Sequence, residues 1–279
     1  MVDVIVVGAG PAGSAAAKRC AESGLDTLIL EKRKLPRDKV CSGMIMGPVA
    51  HELIKQEFGD IPESVLSQPE RLNGYIFHVP GAGSQKLDNF TLLTWRRNLD
   101  YWMSQQAAAK GARIWPGARV TGLRAKERAF LVEVEKDGGS HELETRFVIG
   151  ADGVASFVRR ALFPGLKVNY SQVYQECYRG ELNLDRGYFH WFYPLEYSPA
   201  LFTAHHKDDL TVVDYGGRTG TLPQLITWAR GFCAKNHYFD VSQRPVWRGG
   251  CLQPAMFMPF YRLEGALCWW ARPAGLFYQ

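Results

Sequence analysis

Three glycines near the N-terminus, Gly8, Gly10 and Gly13, form a G-x-G-x-x-G pattern. Gly8 permits a tight turn from strand to helix, Gly10 lets the backbone approach a pyrophosphate, and Gly13 lets helix and strand pack closely. Pro11 and Ala12 fill the turn, and a proline is tolerated at a helix start. The free N–H groups there, with the helix dipole, attract phosphate. The spacing therefore predicts a site for a phosphate-bearing cofactor.

The elements around these glycines are the ones that the pattern requires. The β-branched run Val2–Val7 predicts a buried parallel strand, and the alanine-rich segment after Gly13 predicts a helix that ends near Gly24. A second strand, Thr27–Leu30, ends in Glu31, about 20 residues beyond the glycines. A carboxylate at this place accepts hydrogen bonds from a ribose 2′-hydroxyl and repels a 2′-phosphate. This order of elements predicts a bound dinucleotide, and it leaves FAD and NAD both open.

Three later segments carry a resemblance to a known family. Residues 35–44 contain a P-R-x-K-x-C-x-G run, and residues 95–112 form an amphipathic helix with the pattern R-x-x-L-D. Residues 147–159 contain G-A-D-G-x-x-S-x-V-R after an apolar strand. In these segments the chain resembles the geranylgeranyl reductase-like branch of FAD-dependent oxidoreductases, which are relatives of the aromatic hydroxylase flavoproteins. The resemblance implies that the cofactor is FAD.

The resemblance also implies roles for individual residues. The segment after the acid wraps the flavin side of the cofactor in this family, which implies cofactor contacts for Lys32, Arg37, Cys41, Ser42 and Gly43. The helix arginine, here Arg96, would lie near the phosphates, and the backbone of Val120 would meet the adenine. Asp152, followed by Gly153, would orient the ribityl and ribose region. Without the resemblance, residues 37–43 would be a solvated basic loop and Asp152 a helix cap.

These segments predict an α/β fold, with a Rossmann-like FAD-binding domain of the GR2 type and an inserted antiparallel β-sheet substrate domain. The predicted FAD-binding domain comprises residues 1–70, 92–164 and 256–279, and the predicted substrate domain comprises residues 71–91 and 165–255.

Three patterns in the second half predict its elements. Arg71–Val79 alternates as a strand, and Pro199–Gly216 predicts a hairpin that turns at residues 207–209. Apolar residues from Leu222 to Cys233 repeat with helical spacing, which predicts an amphipathic helix packed on the sheet.

The aromatic segment Gly187–Pro194 resembles the family's Y-x-W-x-F-P motif, which lines a substrate cavity near the flavin. The resemblance implies an apolar pocket for a prenyl chain with Phe189, Trp191 and Tyr193 in its wall. Each CH₂ buried there would contribute about 0.8 kcal/mol. An aromatic strand that belongs to an ordinary core is the alternative. His190 alternates with these residues, could face solvent, and receives no catalytic role.

The leading hypothesis is a FAD-dependent reductase that saturates C=C bonds of a prenyl group. Reduced flavin would supply hydride and a nearby acid the proton, with NAD(P)H or another reductant as electron donor. No acid is evident, and Cys41 and Tyr188 are the candidate catalytic residues. The alternatives are a flavin monooxygenase or halogenase, and a degenerate scaffold that binds FAD without turnover.

Composition excludes several other classes. The formal charge of +5 is mild, and no long basic run indicates nucleic acid. The six cysteines lack a C-x-x-C pair, which argues against a metal site and predicts a reduced, cytoplasmic chain. No apolar run reaches the length of a membrane span, and no signal peptide is expected. The substrate is predicted to be a small molecule or a prenyl lipid, and a prenyl lipid would imply peripheral membrane contact. The oligomeric state is not predicted.

The segment Leu263–Leu276 departs from the family pattern. Family members have a third cofactor motif here, typically G-D-A-A-G, whereas this chain reads A-R-P-A-G at Ala271–Gly275 with no acid after Glu264. We expect a truncated or degenerate motif that leaves the cofactor partly uncovered.

Overall fold

The computed structural model describes residues 1–218, 220–254, 261–263 and 266–268. Within these residues the chain forms two eight-stranded sheets and five α-helices, which confirms the predicted α/β class. None of the described helices is long and apolar enough to cross a bilayer.

The strands, in chain order, are β1 (Val2–Val7), β2 (Thr27–Glu31), β3 (Met44–Met46), β4 (Leu66–Val79), β5 (Gly83–Thr94), β6 (Arg113–Pro116), β7 (Arg119–Ala125), β8 (Phe130–Lys136), β9 (Gly139–Gly150), β10 (Tyr170–Arg179), β11 (Tyr188–Phe192), β12 (Leu201–Lys207), β13 (Leu210–Gly217), β14 (Trp247–Pro254), β15 (Tyr261–Leu263) and β16 (Ala266–Cys268). The helices are α1 (Pro11–Glu22), α2 (Gly47–Phe58), α3 (Arg96–Ala109), α4 (Phe157–Leu162) and α5 (Leu222–Lys235).

The first sheet has the order β15-β16-β9-β1-β2-β6, and β8 joins β7 to β9. Its centre, β1, pairs in parallel with both β2 and β9. Alternate β1 residues fill two cores: Val4 and Val6 pack with Ala17 of α1 and Ala107 of α3, whereas Ile5 packs with strands β7 and β8. Both faces of β1 are covered, and this burial explains its continuous β-branched sequence.

The second sheet has the order β14-β10-β13-β12-β11-β4-β5-β3. Its described pairs are antiparallel except for β11 with β4. Helix α5 covers one face, where Phe202, Ala204, Val213 and Tyr215 pack with Leu225 in a core of this half. We call this the helix face. Alternation along the same strands turns Thr203, His205, Lys207, Val212 and Asp214 to the other face.

The elements predicted for the second half are present. The predicted hairpin is β12 and β13, the predicted helix is α5, and Arg71–Val79 is the second part of the longer strand β4. The domain boundaries remain a prediction. The second sheet extends beyond them, because residues 44–46, 66–70 and 92–94 belong to β3, β4 and β5.

Candidate cofactor site

The turn between β1 and α1 lies where three neighbouring strands end. Because β2 and β9 flank β1 in parallel, Gly8, Glu31 and Ala151 meet at one edge of the first sheet. Gly8 has a φ of +106°, and a Cβ there would overlap the backbone carbonyl of Ala151. A Cβ at Gly13 would overlap the carbonyl oxygen of Gly8. The close backbone approach therefore requires glycine at both positions.

The N-terminus of α1 is open at this edge. Pro11 begins the helix, and the N-cap residue Gly10 offers no side-chain cap. Among the described residues, a Cβ at Gly10 would meet only the guanidinium of Arg37, at 3.7 Å. The first N–H groups of a helix have no partner within it, so those of Ala12 and Gly13 can bind an anion.

Glu31 is held in one orientation by the surrounding backbone. Its Oε2 accepts a hydrogen bond from the Ala9 N–H at 3.0 Å, and its Oε1 accepts one from the Arg33 N–H at 3.0 Å. The Arg37 Nε lies 3.3 Å from Oε2. Glu31 is 4% exposed, and these charge-assisted hydrogen bonds fix its carboxylate. Each oxygen keeps acceptor capacity for a ribose hydroxyl.

Two arginines named from the sequence are joined by a third residue, Asp100. Arg96 donates from Nε to Asp100 Oδ1 at 2.6 Å and from Nη2 to Oδ2 at 2.9 Å, and Arg37 Nη1 donates to Oδ2 at 3.0 Å. Burial acts to lower the pKa of Arg96, but the Asp100 carboxylate and the Cys41 thiol outweigh it and raise that pKa above its usual value. Arg37 and Arg96 are thus ordered cations near the open end of α1. Sequence reasoning assigned no role to Asp100, although its position four residues after Arg96 on a helix was a usable signal.

Asp152 is the cap of α4, and its predicted contact with the cofactor remains a prediction. Its Oδ2 accepts hydrogen bonds from the N–H groups of Phe157, at 2.5 Å, and Val158, at 3.2 Å, and so caps α4. Its Oδ1 is buried and has no hydrogen-bond partner among the described residues. An unsatisfied buried acceptor costs about 1–3 kcal/mol. A hydroxyl of a bound ligand would remove this cost. Gly153 follows with a φ of +82° and is exposed.

The loop Cys41–Gly43 is fixed to the second sheet by contacts with β5 and β12. The Gly43 carbonyl accepts hydrogen bonds from the Thr94 N–H at 2.9 Å and from its Oγ1 at 3.0 Å. Lys207 Nζ donates to the carbonyls of Ser42 at 2.7 Å and Thr94 at 2.6 Å. Lys207 is fully buried, and burial lowers its pKa to about 8. We call the side of the second sheet that carries Lys207 the loop face. No local sequence pattern indicates this lysine, because its partners Ser42 and Thr94 lie more than 100 residues away in the chain.

The predicted substrate aromatics lie on the loop face. Phe189, Trp191 and Tyr193 alternate along and just beyond β11, and Phe77 of β4 stacks 6.4 Å from Trp191 between ring centroids. Phe189 is 1% exposed and packs in a small core with Leu72. Trp191 and Tyr193 are partly exposed. The Trp191 indole nitrogen is buried without a hydrogen-bond partner among the described residues.

His190 and Tyr188 point away from this face. The suggestion that His190 faces solvent is wrong: it is 1% exposed. Its Nδ1 lies 3.0 Å from His78 Nε2, and its Nε2 lies 2.9 Å from the Asp185 carbonyl oxygen. Burial lowers the pKa of His190. Burial lowers the pKa of His78 as well, and together with the charge of the neighbouring His190 it brings that pKa to about 4. The Tyr188 hydroxyl donates to Asp88 Oδ1 at 2.8 Å. Neither side chain shares a face with Trp191.

The remaining predicted cofactor residues differ in their exposure. Lys32 is exposed, and Val120 is 9% exposed in the core beneath the first sheet. The departure predicted at Ala271–Gly275 lies outside the described residues. The described residues fit FAD: glycines that admit a pyrophosphate, a fixed carboxylate for ribose, two ordered arginines, and a buried carboxylate oxygen that awaits a donor. With these groups the site can bind a dinucleotide.

Comparisons with known proteins agree with this geometry. The family of FAD binding domains matches residues 1–174. Digeranylgeranylglycerophospholipid reductase 2 of Methanopyrus kandleri is 36% identical over 174 residues, which are 59% of this chain and 41% of that protein. The chain thus covers less than half the length of this relative.

Two solved structures share the fold. A geranylgeranyl bacteriochlorophyll reductase-like protein from Thermoplasma acidophilum superposes with a TM-score of 0.79 at 18% identity, over 96% of this chain and 70% of that one. A flavin-dependent brominase superposes with a TM-score of 0.74 at 17% identity, over 96% of this chain and 71% of that one. The predicted resemblance to geranylgeranyl reductase-like flavoproteins is confirmed.

Proposed function

This chain belongs to the FAD binding domain family, and we propose that it is a FAD-dependent oxidoreductase that reduces C=C bonds of a prenyl group. When bound and reduced, FAD supplies a hydride. The residues of the chain bind the cofactor, orient it and keep the reacting bond away from water.

One observation carries this proposal: the aromatic row and the loop Cys41–Gly43 share one face of the second sheet. Lys207 and Trp191 project from that face, and Lys207 holds Ser42 at 2.7 Å. An apolar aromatic wall beside a flavin loop suits a hydrocarbon chain, because burial of its CH₂ groups provides the binding energy. The relative from Methanopyrus kandleri is named a digeranylgeranylglycerophospholipid reductase, and this name supports the same substrate class.

The test is an anaerobic assay with dithionite-reduced protein and a geranylgeranyl lipid in detergent. We expect a mass gain of two for each bond that is reduced. Gly10→Ala is the matched control, because its added methyl group meets only Arg37 within the described chain but stands where a pyrophosphate would approach. This variant should fold and should leave the lipid unchanged. A wild-type protein that holds FAD and produces no mass gain would overturn the proposal.

A second candidate function is a flavin monooxygenase or halogenase. The superposition on a flavin-dependent brominase favours it as far as fold is concerned. Oxygen consumption coupled to product formation would support this function over the reductase. FAD that remains bound without either reaction would support the third alternative, a scaffold without turnover.

The electron donor and the membrane contact are further parts of the proposal. The donor is NAD(P)H or another reductant, and stopped-flow reduction of bound FAD by NADH, compared with NADPH, tests this part of the proposal. Peripheral membrane contact would bring a prenyl lipid to the loop face. Sedimentation with vesicles of archaeal-type or phosphatidylglycerol lipids measures that contact directly.

A further inference from the structure

Four side chains form a cross-strand row on the loop face. Trp191 of β11 lies opposite Thr203 of β12, Thr203 lies opposite Asp214 of β13, and Asp214 lies opposite Gln175 of β10. Directly opposed residues point to the same side of a sheet, with Cβ atoms about 4.5–5.5 Å apart. The row therefore places a carboxyl group two strands away from the central aromatic residue of the predicted substrate wall.

Asp214 is oriented by neutral donors. Gln175 Nε2 donates to Oδ1 at 2.5 Å, and Thr203 Oγ1 donates to Oδ2 at 3.3 Å. No cation of the described chain lies within ion-pair distance of it. In this respect Asp214 differs from Asp100 and Glu176, which are both paired with arginines. A recessed carboxyl without a counterion favours the protonated form.

The groups around Asp214 do not replace it as a proton source. Burial raises the pKa of Asp214 to about 6, and the Gln175 and Thr203 hydrogen bonds with the Lys207 charge only partly offset this. Burial also raises the pKa of Cys177 on β10 to about 12 and raises that of Cys251 on β14. Both thiols therefore stay neutral near pH 7, and Lys207 is occupied by two carbonyls.

The row is continuous with the cofactor loop. Lys207 projects from the same face of β12 as Thr203 and reaches Ser42, while Cys251 Sγ lies 4.0 Å from the Val40 carbonyl oxygen. As a whole residue Asp214 is partly exposed, and the proposed role takes its proton from solvent. A group that donates a proton in each turnover needs this access.

We propose that Asp214 is the proton donor for the reduction, an assignment that rests on the proposed function. One alkene carbon takes the proton from the Asp214 carboxyl, and the other takes the hydride that reduced FAD supplies. The π bond is replaced by two C–H bonds, the flavin is oxidised, and the carboxylate regains its proton from water. This proposal replaces the two candidate catalytic residues named from the sequence. Tyr188 points to the opposite face of the sheet, and Cys41 contacts Arg96.

The test compares Asp214→Asn with Asp209→Asn. The first change keeps the size of the side chain and removes its acidity. The second neutralises an exposed carboxylate in the turn of the same hairpin, where it pairs with Arg179 at 3.0 Å. We expect Asp214→Asn to retain FAD and to saturate the lipid about 100-fold more slowly or worse. Asp209→Asn should match the wild type.

The pH dependence gives a second readout. The wild-type rate should fall as pH rises through about 6, since the donor must carry its proton, and Asp214→Asn should lose this dependence. Thr203→Val removes a hydrogen bond that stabilises the carboxylate, so the midpoint should move upward. An unmoved midpoint in Thr203→Val contradicts the assignment, even if Asp214→Asn folds poorly.

Infrared difference spectra test the carboxyl without any turnover. The wild type should show a protonated-carboxyl band at pH 5 that disappears at pH 7. Asp209→Asn should show the same band and the same change, whereas Asp214→Asn should not show the band at either pH. Absence of that band, or a wild-type rate in Asp214→Asn, overturns the inference and leaves the proposed function standing. A wild type that holds FAD but never saturates the lipid overturns the proposed function, and with it the role of Asp214.

Discussion

The turn between β1 and α1 and the loop face of the second sheet bring functional groups together in opposite ways. In the turn, Gly8 and Gly13 meet each other within one short segment, and the neighbouring strands add one carboxylate each. On the loop face, Gln175 and Asp214 are 39 residues apart and meet only through the register of β10 with β13. A site formed by residues close together in the chain can therefore be predicted from the sequence. A site built from strand register requires the structure.

The largest effect is expected for Gly13→Ala, which tests how local the first region is. A Cβ there would overlap the Gly8 carbonyl oxygen and lie 3.3 Å from the Ala151 Cβ. Backbone must move to make room, so we expect about 3 kcal/mol less unfolding free energy and loss of FAD. Urea unfolding and absorption at the flavin bands after gel filtration measure the two effects.

Gly10→Ala is the control for Gly13→Ala. Among the described atoms its Cβ approaches only the Arg37 guanidinium, at 3.7 Å, so wild-type stability with weak FAD binding is expected. Normal stability in Gly13→Ala, or full FAD retention in Gly10→Ala, would show that the glycines do not act as the turn geometry requires.

The next largest effect is expected on the helix face. There the contact between Glu176 and Arg230, which are 54 residues apart in the chain, stabilises the fold and has no proposed part in binding FAD. Glu176 is fully buried and accepts hydrogen bonds from the hydroxyls of Tyr178 at 2.7 Å and Tyr215 at 3.1 Å, and from Arg230 of α5. Arg230→Ala leaves this carboxylate without its cation. We expect a loss of about 3 kcal/mol, at the low end for a broken buried pair because Arg230 is partly exposed.

The double variant Arg230→Met with Glu176→Gln serves as the matched comparison. It removes both charges, and most of the stability should return. FAD affinity should change in neither protein, because these residues lie on the face opposite the loop. A loss of FAD in Arg230→Ala, at a temperature where the chain remains folded, would mean that the two faces are coupled.

Lys207→Met tests the connection between the two regions. The change leaves the Ser42 and Thr94 carbonyls without their shared donor, and it removes a buried charge. We expect a net cost of about 2 kcal/mol and faster FAD release, because the loop Cys41–Gly43 loses its attachment to β12. Stopped-flow dilution into apoflavodoxin, or into another FAD trap, measures the release.

The same lysine predicts a pH dependence with a defined sign. Its pKa is about 8 in the fold and near 10.5 when unfolded, so between these values the unfolded chain holds more protons. Stability contributed by this site therefore rises with pH across the window. The difference in unfolding free energy between wild type and Lys207→Met should grow by about 3 kcal/mol from pH 8 to pH 10.5. A constant difference would mean that the fold does not lower the pKa of Lys207.

These contrasts show what the sequence could and could not predict. The strand–turn–helix order, Glu31 and the hairpin of β12 with β13 follow from short-range patterns of glycine, periodicity and turn residues. The role of Asp100 was missed although it lies one helical turn from Arg96. Lys207 and Asp214 gave no signal, because alternation indicates which residues share a face but not which strands become neighbours. The prediction that His190 could face solvent was wrong for a related reason. Both faces of β11 are covered, and the sequence does not show which elements cover them.

The smallest effect is expected for Tyr188→Phe, which sharpens the contrast between the two sides of β11. The hydroxyl donates to Asp88 Oδ1 at 2.8 Å, and the Lys86 ammonium lies 3.8 Å from the ring centroid. Loss of one hydrogen bond with an acceptor that solvent can reach should cost about 1 kcal/mol, and the cation–ring contact should persist. Because Tyr188 alternates with Phe189, its hydroxyl stands on the side of β11 away from the loop face. Catalysis should therefore be unchanged in Tyr188→Phe. Trp191 lies on the loop face of the same strand, so Trp191→Phe should weaken lipid binding. A large rate loss in Tyr188→Phe at normal stability would mean that the reacting bond lies on the opposite side of β11, and would reverse the assignment of the two faces.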